Sequence, residues 1–143
     1  MSLIEYLTLL KNDNIIEVVS RDHKVKIARI INFENSVVID IDVVEKFNIN
    51  NVSKFEIISE VSIDNRRILN VVFDSYEDFK ILGTLYIYGE DKCEIISIKA
   101  ILNRRISDNE ILMFIENLIQ KYSPNYYRKI LNIFRKYYGE SKL

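Results

Sequence analysis

Between residues 15 and 102 the apolar side chains recur at every second position, the spacing of a half-buried β-strand rather than a helix. Little interrupts that pattern. Across 143 residues there are only 3 glycines and 1 proline, so the turns must be built from Asn, Asp and Ser. Runs at 15–20, 25–33, 37–43, 55–63, 66–73, 79–88 and 93–102 read as strands. Short polar links separate most of them, including Arg21-Asp22-His23-Lys24 and Gly89-Glu90-Asp91-Lys92. Segment 44–51 reads as a helical turn or an irregular connection. Strands that follow one another through short loops predict an antiparallel sheet.

The alternation also predicts which side chains face inward. Val25, Ile27, Ile31 and Phe33 should share one face, with Lys26, Ala28 and Asn32 on the other. Val37, Ile39, Ile41 and Val43 oppose Asp40 and Asp42. Phe55, Ile57, Val61 and Ile63 alternate with Glu56, Glu60 and Ser62, giving a strand with one wet face. In the last hairpin Leu85 and Ile87 should meet Ile96 and Ile98, with Tyr86 and Tyr88 on the opposite face.

Helical spacing appears only at the ends. Ser2-Leu3-Ile4-Glu5 is a capping-box pattern ahead of Leu3, Tyr6, Leu7 and Leu10, which predicts a helix over 2–12. Ser107-Asp108-Asn109-Glu110 repeats the pattern and opens a helix over 108–121, whose Ile111, Phe114, Ile115, Leu118 and Ile119 form one stripe. Ser123-Pro124 ends that helix and starts another over 124–138, with Ser123 expected to cap it and Gly139 to stop it. The expected fold is therefore α+β and a single domain over 1–143. It holds a helix at 2–12, a curled antiparallel meander of about six to seven strands within 14–102, and a helical pair within 107–139 packed on the sheet. This order of elements resembles the pleckstrin-homology architecture, a meander closed by a C-terminal helix, with an additional helix at each end.

Charge is unevenly distributed along the chain. The formal net charge is −1, but residues 1–103 carry 12 Lys and Arg against 17 Asp and Glu, a net of −5. Residues 104–143 carry 8 against 4, a net of +4. The basic excess concentrates in KYSPNYYRKILNIFRKYY (121–138), which has five cations, five tyrosines and no carboxylate. On a helical projection Tyr127, Ile130, Leu131, Phe134, Tyr137 and Tyr138 share one face, and Arg128, Lys129, Asn132, Arg135 and Lys136 fill the opposite arc. Such a helix suits an anionic partner. Nucleic acid is the expected one, with Arg128, Lys129, Arg135 and Lys136 on backbone phosphates and Tyr126 and Tyr137 available to stack on bases. The alternative is a protein-interaction or self-association module, a homo-oligomer, using the same helix on an acidic partner or an exposed strand edge. A helix that only packs by its apolar face, with its cations solvated, is the plainest possibility.

Catalytic chemistry has little to build on. His23 is the only histidine and sits in a polar loop; Cys93 is the only cysteine, with mixed charges around it. A lone cysteine favours a reducing, cytoplasmic setting, and no run reaches the roughly 20 apolar residues of a membrane span. No glycine-rich phosphate loop or zinc-type cluster is present, and no cofactor or metal is expected. Asp40 and Asp42 share a strand face about 7 Å apart and lack a third acid. Asp78-Phe79-Lys80 with Asp64 resembles the PD-(D/E)xK nucleases. That resemblance implies metal binding by Asp64 and Asp78 and water activation by Lys80, although Ile63 stands where the family has proline.

Overall fold

A computed structural model describes Leu3 and residues 11–12, 14–19 and 24–138. Among these residues eight strands form one antiparallel sheet: β1 (Lys11–Asn12), β2 (Ile15–Val19), β3 (Lys24–Asn32), β4 (Val37–Asn48), β5 (Glu56–Ile63), β6 (Arg66–Ser75), β7 (Phe79–Tyr88) and β8 (Lys92–Leu102). Two helices follow, α1 (Asp108–Tyr122) and α2 (Pro124–Tyr138). The helix expected over 2–12 lies outside the described residues, except that Leu3 is buried in the core and Lys11–Asn12 is strand, paired with β2. The loop containing His23 also lies outside them. Among the described residues no helix is long and apolar enough to cross a membrane.

The strand order is β1-β2-β3-β4-β8-β7-β6-β5, which corrects the simple meander and with it the pleckstrin-homology likeness. Two four-stranded meanders meet along a β4–β8 seam running from Val37↔Leu102 to Asn48↔Lys92. Because each step across the sheet is antiparallel, β4 and β5 run parallel with three strands between them. Segment 44–51 is correspondingly more ordered than expected. β4 continues to Asn48, and a 3₁₀ helix, Ile49–Lys54, carries the chain over to β5. A line of rings fastens this connection to the helices: Phe47 to Phe55 at 5.7 Å, Phe55 to Phe73 at 5.1 Å, and Phe73 stacked on Tyr122 at 4.6 Å. The Phe73 ring lies directly on the backbone of Gly83 in β7, where any Cβ would overlap it.

The core fills the space between one face of the sheet and the two helices. Val37, Ile39, Ile41 and Val43 of β4 are buried as their alternation requires. Leu69, Val71, Ile81, Leu85 and Ile87 extend the core across β6 and β7, and Ile111, Ile115, Ile119, Ile130 and Phe134 close it from the helices. The Ser107 capping box is formed, with the Glu110 N–H donating to Ser107 Oγ at 3.2 Å and the Ser107 N–H to Glu110 Oε1 at 3.4 Å.

Bulges overturn two of the expected faces, in β8 and in β3. A register shift in β8 beside Thr84/Leu85 pairs Leu85 with Ile95 and Ile87 with Cys93, not with Ile96 and Ile98. An extra residue reverses every side chain beyond it. In β3, Ala28 and Ile30 face the core opposite Ile41 and Ile39 and Ile27 is buried as well, while Phe33 is exposed. All of β5 is exposed on both faces, where one dry face was expected. On the face away from the helices a polar ladder crosses four strands: Ser97 Oγ to Thr84 Oγ1, Thr84 Oγ1 to Asn70 Oδ1, and Asn70 Nδ2 to Ser59 Oγ.

Candidate functional site

α2 is held by a residue that local pattern does not single out. Glu45 projects inward from β4 and is only 5% exposed. Its carboxylate accepts hydrogen bonds from the Asn125 N–H at 2.8 Å, the Asn125 Nδ2 amide at 2.9 Å and the Tyr126 N–H at 3.2 Å. These are first-turn donors with no partner inside the helix, and a negative charge there also meets the positive end of the helix dipole. The capping role expected of Ser123 thus belongs to Glu45. Ser123 is used to end α1: its N–H bonds to the Ile119 carbonyl, and its buried hydroxyl has no hydrogen-bond partner among the described residues.

Anchoring at Glu45 reaches the surface through one side chain. Asn125 turns its amide nitrogen to Glu45, which leaves Oδ1 pointing outward to accept from Arg128 Nη2. Ile130 and Phe134 seat the rest of the helix in the core. Arg128, Lys129, Asn132, Arg135 and Lys136 are then all exposed, on the arc the projection assigned them. Among the described residues Arg128, Lys129 and Arg135 make no ion pair, whereas Lys136 takes part in a further interaction. Arg128 and Arg135 are two helical turns apart, about 10 Å along the axis. Arg135 and Lys136 also lie in the last turn, where cations offset the negative end of the helix dipole.

The aromatic half of the expected site is not available in the same way. Tyr126 is half-buried against the core, and its N–H serves Glu45. Burial first, and then nearby Asp42, raises the Tyr126 hydroxyl above the usual tyrosine range. A ring packed in this manner cannot also stack on a base without leaving its place. The Tyr137 side chain lies outside the described residues.

Other polar groups are engaged elsewhere. Lys121, the fifth cation of the basic stretch, belongs to α1 and pairs with Asp74 at 3.1 Å. Tyr122 donates to the same carboxylate at 3.1 Å. The Lys121 hydrogen bond holds Asp74 below the usual carboxylate range, and the same bond raises Lys121. Burial and then the Asp74 bond push Tyr122 up to about 12. This cluster rims a shallow cleft walled by Phe79, Phe114 and Leu118. Asp40 lies 3.7 Å from both Arg29 and Lys99, and Asp42 lies 3.5 Å from Lys26, so both expected carboxylates are already matched with cations. No group of three or more possible metal ligands occurs among the described residues.

The nuclease-like residues do not converge. Asp64 occupies the β5–β6 turn with φ 54°, beside the Arg66↔Tyr88 end of the sheet. Asp78 and Lys80 sit at the start of β7, at the Ser75↔Lys80 end. The whole length of β6 separates them, roughly 30 Å at about 3.3 Å per residue. Cys93 is buried, and burial raises its thiol above the usual range. No protein-family model, curated protein or solved structure matches this chain.

Proposed function

We propose that this chain is a non-catalytic binding protein that presents the outer arc of α2 to the phosphate backbone of nucleic acid. The observation that carries the reading is the set Arg128, Lys129 and Arg135. All three are exposed on one helix face, on a helix without a carboxylate, and without an ion pair among the described residues. The Glu45–Asn125 link supports it further, because it fixes the Arg128 end of the row before any ligand arrives. With Tyr126 packed inward, affinity would come from phosphates and not from base stacking, which favours a duplex over a single strand.

The test is a salt titration of duplex binding. Replacing Arg128, Lys129 and Arg135 together by Gln should flatten the slope of log K against log salt by about 2.7, at about 0.9 per phosphate contact. The loss should be similar on unrelated sequences, since phosphate contacts position without specifying. Absence of any affinity at low salt, where a Debye length of about 30 Å magnifies a cationic patch, would end this reading.

A further inference from the structure

At the sheet edge farthest from β1, every residue of β5 is exposed. Proteins commonly blunt such edges with lysine or proline. EIISEVSI has neither, and its one bulge lies in its first half, between Ile57 and Ser59. The register sets Val61 beside Ile68, Ile68 beside Tyr86, and Ile63 beside Arg66. Val61 (54% exposed), Ile63 (67%) and Ile68 (38%) therefore join Tyr86 in one apolar patch that runs up to the edge on the helix-free face. The only charge within 59–63 is Glu60, and it is bound by Arg67 of the neighbouring strand. A long edge that is apolar and locally neutral is a template for another strand.

We propose that the occupant is a second copy of this chain, added antiparallel through β5 about a twofold axis at Val61. In that register Val61 faces the partner's Val61, Ser59 faces the partner's Ile63, and Glu60 faces the partner's Ser62. Neighbouring registers are worse. A slip one way sets Glu60 against the partner's Glu60, and a slip the other way sets it against the partner's Asp64, so each brings carboxylates together. The Val61-centred pairing also merges the two apolar patches across the axis. Ile58, Val61, Ile63 and Ile68 together expose on the order of 400 Å², about half of the roughly 800 Å² that each partner of a standard interface buries. The strand backbone and Tyr86 supply further area. This surface is separate from the cationic arc of α2.

The experiment is sedimentation velocity on the full chain over a wide concentration range, with Val61→Lys and Ile63→Lys alongside. The wild type should reach twice the monomer mass, and each variant should remain monomeric with an unchanged thermal midpoint, because both positions are exposed. Register is read by oxidative crosslinking. Val61→Cys should crosslink readily, since directly opposite Cβ atoms lie about 5 Å apart. Ser59→Cys should not, because the two copies of that position would be offset by about 13 Å along the strands. Buried Cys93 does not compete in either case. A wild type that stays monomeric, as it would if β5 served a foreign peptide, overturns the proposal. So does a dimer that survives Val61→Lys, or equal crosslinking at both positions.

Discussion

Replacing Glu45 should both loosen α2 and disturb the cationic surface above it. The carboxylate accepts three hydrogen bonds while almost fully buried. Hydrogen bonds to a charged group are worth about 1.5–3 kcal/mol each before desolvation is counted, and the helix dipole adds about 0.3–1 kcal/mol. Glu45→Gln keeps the shape but sets an amide N–H against the Asn125 side-chain donor, so about 2 kcal/mol should be lost. Glu45→Ala leaves two part-buried backbone N–H groups without their acceptor and should cost about 3–4 kcal/mol. For a chain of this size that corresponds to a fall of roughly 10 °C in the thermal midpoint. Urea denaturation measures the loss, and hydrogen exchange at the Asn125 and Tyr126 amides locates it. Once Asn125 no longer faces a carboxylate, its Oδ1 loses its orientation toward Arg128, and duplex affinity should drop even for Glu45→Gln. A loss below about 1 kcal/mol for Glu45→Ala, with amide protection unchanged, would refute the assignment of Glu45 as the anchor of α2.

Three further outcomes follow from packing and titration. Gly83→Ala should cost about 1–3 kcal/mol by displacing the Phe73 ring, and should be nearly harmless in a Phe73→Ala background; additive losses in a double-mutant cycle would contradict the contact. Phe134 is fully buried and Phe114 only half-buried, so Phe134→Ala should cost about 3–5 kcal/mol and Phe114→Ala distinctly less in equilibrium unfolding. Tyr122 keeps its proton in the fold up to about 12, whereas the unfolded chain releases it near pH 10. The folded state therefore holds more protons in that window, and the stability present below about pH 10 is lost as pH rises toward about 12. Tyr122→Phe should show a shallower decline there, and superimposable curves would argue against the raised Tyr122 hydroxyl, to which burial contributes most and the Asp74 bond next.

Much of the local structure was legible because it is written in nearest-neighbour chemistry. The Ser107–Glu110 box, the Ser123-Pro124 break and the alternation of β4 all act within a few residues, and each appears where the pattern puts it. The exposed cationic arc of α2 was legible for the same reason. What escaped were features decided by partners distant in sequence. A bulge in β8 leaves no local mark beyond one more residue in an apolar run, yet it changes the face of Ile96. Ser123 looked like a cap because its type and position suit one; the competing acceptor, Glu45, arrives from a strand 80 positions earlier. A glutamate at an inward position among Val37, Ile39, Ile41 and Val43 was the one signal that could have revealed it, since a buried carboxylate must be partnered.

The β4–β8 seam carries a kinetic consequence. Hairpins β5–β6, β6–β7 and β7–β8 each close over a short turn, so the second meander can assemble locally. The seam joins Val37 to Leu102 and Asn48 to Lys92, and must close over that whole intervening meander. Its formation, not that of any hairpin, should limit the folding rate, and the helices, which both contact β4, complete their packing only once it exists. Cutting the chain within Ile49–Lys54 would leave two pieces that are each local in their strand pairing. Mixed together, they should find one another along the seam and restore the native sheet.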